Sequence, residues 1–268
     1  MLELFSFVSD HSCDPNAVVV FKGKELIIRT IHPVEDITEL RISYTNLLEC
    51  TEKRQQNLKE QYYFTCQCSK CQDELTDHKK SSMICPECFG CVPFVESTCI
   101  QCIKSVNPSL LEQYSNLKTK LKSELPEEKS ELENLFQQCS NIIHHNDKDY
   151  FDMLEILYEK RLEQKDYKGC LDLILIMLSH FHENSPSYDV NTALHEMKAA
   201  KLCSYLNYLD EAEIHISKAK DHLRVTHGDI LPLVSKYWRK IRQDIDMGKR
   251  EIKDISLQPH KGKWAKSG

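Results

Sequence analysis

The sequence has no run of about 18 apolar residues, so nothing in it reads as a membrane-spanning helix. Its opening, Met1-Leu2-Glu3-Leu4-Phe5, lacks both the basic segment and the long apolar stretch of a secretory leader. Excess positive charge is missing too. Thirty-five Lys and Arg against 41 Asp and Glu give a net charge of −6, which offers nucleic acid no electrostatic footprint. The basic stretch Lys249, Arg250, Lys253, Lys261, Lys263 and Lys266 is interrupted by acids and reads as a solvated terminus. Glycine is scarce, with seven in 268 residues. Cysteine is what the chain has instead: thirteen in all, eight of them between Cys66 and Cys102. A secreted disulfide scaffold is normally small and spreads its cysteines through its core. Clustered Cys-x2-Cys and Cys-x-Cys pairs without a leader point to metal, and to the cytosol, the nucleus or both.

The apolar fraction of 41% and the charged fraction of 28% are those of an ordinary globular protein, long enough for one large or two modest domains. Residues 17 to 44 read as β structure. Ala17-Val18-Val19-Val20-Phe21 and Leu26-Ile27-Ile28-Arg29-Thr30 flank a turn at Lys22-Gly23-Lys24, which predicts a hairpin. Leu40-Arg41-Ile42-Ser43-Tyr44 alternates as a third strand. A helix is expected over 51 to 62, its start capped by Thr51-Glu52-Lys53-Arg54 and with Leu58 and Tyr62 one turn apart. After Asn107-Pro108 long helical patterns follow, punctuated at Leu125-Pro126, Asn146-Asp147, Asn184-Ser185-Pro186 and Gly228. Asp166-Tyr167-Lys168-Gly169-Cys170-Leu171 and, 42 residues later, Tyr208-Leu209-Asp210-Glu211-Ala212-Glu213 both open a helix after a tight turn. A small residue inside each (Cys170, Ala212) allows close helix approach, as in tetratricopeptide (TPR) arrays, though their period is about 34 residues. An unrelated helical bundle is the alternative.

From 64 to 102 the stretch has too little apolar content to hold itself together without ligands. Cys66-Gln67-Cys68-Ser69-Lys70-Cys71 puts three thiols in one tight loop, and zinc wants four tetrahedral ligands. Cys13 is the best candidate for the fourth. Cys85-Pro86-Glu87-Cys88 and Cys99-Ile100-Gln101-Cys102 form a second four-thiol set, with Val92-Pro93-Phe94-Val95 as a short ribbon between them and Cys91 left over as a possible replacement ligand. Full thiolate shells leave no open position for catalytic water, so both zincs are read as structural. Cys50, Cys139, Cys170 and Cys203 stand alone and read as small buried apolar residues.

Three ordered segments now matter together: Asp10-His11-Ser12-Cys13-Asp14-Pro15-Asn16, Ile42-Ser43-Tyr44, and Gln61-Tyr62-Tyr63-Phe64-Thr65-Cys66-Gln67-Cys68-Ser69-Lys70-Cys71. This set resembles the SET- and MYND-domain (SMYD) protein-lysine methyltransferases, and Arg224-Val225-Thr226-His227-Gly228 looks like a family signature in their C-terminal helical domain. The resemblance covers nearly the whole chain and implies an S-adenosyl-L-methionine-dependent N-methyltransferase acting on lysine in a histone or non-histone protein. By it, Asp10 and His11 would touch the cofactor and Phe64 would pack on its adenine. Tyr44 would border the methyl-transfer channel, Tyr62 would line the lysine channel, and Cys13, Cys66, Cys68 and Cys71 would hold the post-SET zinc. The helical domain would restrict the substrate groove and bind partner peptides along a concave face.

The expected fold is α+β. The C-terminal portion of a SET domain occupies 1–50, the post-SET helix and zinc loop 51–75, a zinc-ribbon-like insertion 76–106, and an all-α TPR-like domain 107–268. Three departures from the family stand out. Asp10 replaces an asparagine. Ile37-Thr38-Glu39 replaces a Gly-Glu-Glu before the catalytic strand. Nothing corresponds to the glycine-rich cofactor loop or the MYND module that lie upstream in the family. The chain is therefore expected to be a fragment, an isoform or an incomplete gene product that binds the cofactor weakly or not at all alone. Leu2, Leu4, Phe5, Phe7 and Val8 would then be uncovered. Two rivals remain. One is a catalytically silent, zinc-braced helical scaffold for protein–protein interaction. The other is a nucleic-acid-binding ribbon, disfavoured because only Lys79, Lys80 and Lys104 flank it.

Overall fold

A computed structural model describes residues 10–228 and 232–247. The apolar opening residues and the basic terminal stretch lie outside them.

A short strand, β1 at Asp10–His11, precedes the two β-branched runs, which form β2, Ala17–Lys22, and β3, Glu25–Thr30. β2 and β3 pair antiparallel, Ala17 opposite Thr30 and Lys22 opposite Glu25. Gly23 opens the two-residue loop at φ 62°, a left-handed position that glycine takes without steric cost. The expected third strand over Leu40–Tyr44 contracts to β4, Arg41–Ile42, which runs parallel to β1 with Asp10 opposite Arg41 and His11 opposite Ile42. Local bonding explains the contraction. On one side Asp36 caps a 3₁₀ turn at Ile37–Glu39, and the Asn16 amide takes the Glu39 carbonyl and the Arg41 N–H. On the other, Ser43 Oγ donates to the Thr45 carbonyl and accepts from its N–H, a side-chain turn that competes with the ladder.

Helix α1 spans Thr51–Tyr62, with Arg54 and Leu58 on its buried face. Its capping departs from expectation. Cys50 is the N-cap and makes no side-chain cap bond. The first N–H, from Thr51, goes to the Asp77 carboxylate at 2.6 Å instead. That places the cap on α3, Glu74–His78, which follows the short α2, Ser69–Gln72. A ribbon of β5, Ser82–Ile84, and β6, Cys91–Pro93, comes next. It begins before the first cysteine pair, so only Val92 and Pro93 of the expected Val92–Val95 stretch lie in it, and it joins the helical part: Ile84 N–H donates to the Ile142 carbonyl and His144 N–H to that of Ser82.

Seven helices complete the described chain: α4 Pro108–Lys122, α5 Lys129–Cys139, α6 Lys148–Glu163, α7 Tyr167–Asn184, α8 Val190–Tyr205, α9 Leu209–Thr226 and α10 Pro232–Met247. Asn107 caps α4 with Pro108 at its first position, and Asp147, Asp166 and Asp189 cap α6, α7 and α8. The 42-residue echo is real in backbone terms. Lys165 at φ 60° and Asn207 at φ 65° end α6 and α8 in the same left-handed turn. The Asp166 and Tyr208 N–H groups then reach back to the Arg161 and Cys203 carbonyls. Cys170 and Ala212, the small residues of the two turns, are fully buried. One large core runs from α4 to Ala212 of α9 and takes in Met83 and Val92 of the ribbon, so the ribbon shares the helical core. Two further bonds tie the N-terminal part to the helices: Arg29 Nε to the Val225 carbonyl at 2.9 Å, and Lys70 Nζ to the Asn184 carbonyl at 2.9 Å.

Candidate active site and metal centres

Tyr63 closes α1 in the left-handed conformation and turns the chain into Phe64-Thr65-Cys66. Gln55 on α1 then holds that loop by pairing with both backbone groups of Cys66, at 2.7 and 2.9 Å. The loop is thereby laid against Cys13, which follows β1. The sulfurs of Cys13, Cys66, Cys68 and Cys71 all lie within 4.8 Å of one another, with Cys71 to Cys13 at 3.5 Å. Four thiolates about 2.3 Å from one tetrahedral zinc stand roughly 3.8 Å apart, so this donor set fits the ion. Cys85, Cys88, Cys99 and Cys102 form the second set, with Cys85 to Cys102 at 3.6 Å and Cys88 to Cys99 at 3.5 Å. Each knuckle of this set ends on a left-handed residue, Phe89 or Ile103, whose N–H returns to the carbonyl of the knuckle's first cysteine. Cys91 is buried in β6 and takes no part in the set.

The first centre borders an aromatic cluster. The His11 ring lies 5.3 Å from that of Tyr44 and 5.7 Å from that of Phe64, and Tyr44 lies 4.8 Å from Tyr62. Four residues from three separate segments thus converge. His11 does more than line the cluster. Its Nδ1 accepts the Tyr44 backbone N–H at 3.0 Å, which leaves the ring proton on Nε2, aimed at Cys13 Sγ 3.3 Å away. Burial, with the nearby Arg54 charge adding to it, lowers the His11 pKa to about 4, so the ring is neutral at pH 7. Burial, followed by the Asp10 and Tyr62 charges, raises that of Tyr44, so its hydroxyl keeps its proton. Asp10 itself stands at the exposed edge, its carboxylate 3.7 Å from Arg41.

Arg54 and Lys80 escape a motif-based reading. Arg54 is 1% exposed, donates to the Glu49 carbonyl at 2.6 Å and to Thr51 Oγ1 at 2.8 Å, and reaches Cys71 Sγ at 3.7 Å. Lys80, 2% exposed, donates to the carbonyls of Leu47 and Glu49. The signal for Arg54 was available: it lies one turn from Leu58, on the face that α1 buries.

No protein-family model matches the chain. Among curated proteins, it is 27% identical over 240 residues to the N-lysine methyltransferase SMYD2 of Homo sapiens, covering 88% of this chain and 52% of that protein. The Gallus gallus SMYD2 is 25% identical over 235 residues, with 87% and 52% covered. The histone-lysine N-methyltransferase SMYD3 of Homo sapiens is 27% identical over 228 residues, with 82% and 47% covered. The chain spans about half the length of the curated relatives it matches. Along most of its length this α+β chain is thus similar to the SMYD lysine methyltransferases.

Proposed function

We propose that this chain carries one wall of the active site of an S-adenosyl-L-methionine-dependent protein-lysine N-methyltransferase, acting on a histone or non-histone protein. The observation that carries the reading is the convergence of His11, Tyr44, Tyr62 and Phe64 beside the Cys13 centre. When bound, the cofactor supplies an electrophilic methyl group on a sulfonium. Tyr44 and Tyr62 frame a narrow aromatic passage for a neutral lysine amine, and the protonated Tyr44 hydroxyl orients it in line. His11, neutral, adds no positive charge beside the sulfonium and fixes the Tyr44 backbone. Phe64 offers an apolar face for the adenine, and Asp10 a carboxylate for the cofactor's ammonium. Positioning and electrostatics would supply most of the rate. With seven glycines and no glycine-rich loop, the chain alone is proposed to bind the cofactor weakly.

The helical part, assigned to residues 107–268 with a TPR-like arrangement, would bind partner peptides. A 390 Å³ groove lined by Glu155, Tyr158, Glu159, Met177, His195 and Lys198 is the place proposed for them. Cytoplasmic or nuclear residence goes with the thiolate centres.

The test is transfer of radiolabelled methyl from the cofactor to a panel of lysine-bearing histone and non-histone peptides. Tyr44→Phe should cut turnover by about 100-fold with folding intact. An unchanged rate sinks the reading. Isothermal titration with the cofactor checks the weak-binding expectation, which low-micromolar affinity would overturn. The ion pair of Asp10 with Arg41 favours a second reading, in which the family's cofactor contact is diverted and the protein is a zinc-braced scaffold. Peptide capture without methyl transfer, unaffected by Tyr44→Phe, would support it.

A further inference from the structure

Arg54 is a buried cation on α1 in an unusual setting. Among the described residues no carboxylate lies within ion-pair distance of it, and its Nε–H is buried without a partner. An unpaired charge at 1% exposure is costly, so something must neutralise it. The nearest sulfurs belong to the first thiol set: Cys71 Sγ is 3.7 Å from Nη2, and the Cys13 thiol also interacts with the guanidinium. A divalent ion held by four thiolates carries a net charge of −2, spread over the sulfurs. Arg54 is placed where that charge falls.

The other arm of the same guanidinium points the opposite way. Nη1 donates to the Glu49 carbonyl, which also accepts from the buried Lys80, while Lys80 takes the Leu47 carbonyl as well. Leu47 and Glu49 belong to the loop that leads from Tyr44 to α1. Two buried donors, Arg54 and Lys80, therefore hold this loop by its backbone oxygens, and Arg54 is held in turn by the sulfurs. A second path runs in parallel from Cys13 through the His11 ring to the Tyr44 N–H.

We propose that Arg54 is the counter-ion of the Cys13–Cys66–Cys68–Cys71 centre and a positioning residue that makes the placement of the Tyr44–Cys50 loop depend on metal occupancy. With the ion bound, Arg54 is neutralised and locks Glu49. Without it, the four sulfurs are no longer gathered beside the guanidinium, Arg54 loses its counter-charge, and the loop loosens. The link from metal to loop is independent of methyl transfer; only the importance of Tyr44 rests on the function proposed above.

The experiment uses the full chain loaded with two zinc ions. Zinc release to a chromogenic chelator is followed in the wild type, Arg54→Met and Arg54→Lys, the phases being assigned with Cys102→Ser, which removes the second centre. Arg54→Met should speed release from the first centre at least about tenfold, leave the second unchanged, and be partly rescued by lysine. Hydrogen exchange of the 44–50 amides should rise in Arg54→Met, and in wild type once the first centre is stripped. A folded Arg54→Met with wild-type release overturns the proposal. If that variant does not fold, wild-type exchange over 44–50 that ignores zinc removal overturns it equally. Coupling without methylation would leave this inference standing and remove the enzymatic reading alone.

Discussion

Replacing Cys13 by Ser isolates the contribution of one sulfur–metal bond. Cys13 is fully buried and its sulfur lies within 4.8 Å of those of a loop that begins at residue 66, so a bound metal would close the chain from 13 to 66. Treated as a cross-link over a loop of that length, it removes about 4 kcal/mol of chain entropy from the open state. The remaining three thiols should still bind zinc, held by Gln55 against α1, but β1 and the hairpin are then fastened only by weaker links: short ladders, the His11 contacts with Tyr44 and Phe64, Ser69 to Asp14, and Arg29. The loss should be local. In hydrogen exchange by mass spectrometry, the β2 and β3 amides should exchange up to about a thousandfold faster, or lose all the protection they have if that is less. Amides of α6 to α8 should not change, since their core is separate from the cluster formed by Cys13, Leu58 and Cys66. Unchanged protection over residues 17–30, with zinc content otherwise intact, would refute the reasoning.

Two further outcomes follow from buried polar groups in the helical part. Asp147 is fully buried, accepts from Tyr114 Oη and Lys118 Nζ at 2.7 Å each, and caps α6 through the Asp149 and Tyr150 N–H groups. Asp147→Ala should cost about 3 kcal/mol in urea unfolding by leaving the buried Tyr114 hydroxyl unpaired, taking one of the two carboxylates from Lys118 and removing the cap, with Asp147→Asn losing less. A loss below about 1 kcal/mol would contradict it. His144, His180 and His195 are buried, and burial lowers each pKa from 6.5 to about 4. Their neutral forms therefore favour folding fully above pH 6.5. That contribution falls away between pH 6.5 and 4, as the unfolded chain takes up protons first, at about 1.4 kcal/mol per pH unit for each ring. His180→Leu should flatten the pH dependence of the urea midpoint between pH 7 and 5 by one ring's share; an unchanged slope would refute the assignment.

Elements built from local pattern were legible in the sequence. The hairpin rests on two β-branched runs around Gly23, and α1 ends on Tyr62 as its apolar spacing implies. Both thiol sets follow from knuckle spacing, and the proposed Cys13 partner lies where ordered motifs required it. Long-range pairing is what escaped. The parallel match of β1 with β4 involves two residues on each side, too few to leave a periodic signal. Leu40–Tyr44 alternates like a strand, yet Asn16 and Ser43 take over its backbone groups, and neither competitor is visible from alternation. The α1 cap comes from Asp77, 26 residues away, and a nearby threonine looks the better candidate until the fold brings α3 alongside. His11 was assigned to a cofactor by motif, but its bridge from Cys13 to Tyr44 depends on the ring's tautomer and position.

The bond from Arg29 to the Val225 carbonyl spans 196 residues, and it bears on the order of events during synthesis. Its acceptor sits at the end of α9, next to Gly228, where any side chain would collide with the Arg29 guanidinium. At the usual 5 to 20 residues per second, a ribosome needs about 10 to 40 s after making Arg29 to deliver Val225. Throughout that interval the hairpin is a two-stranded sheet of marginal stability, packed on the nearby Leu40 and Ile42 but without its bond to α9. The hairpin thus waits for its helical partner until α9 has emerged.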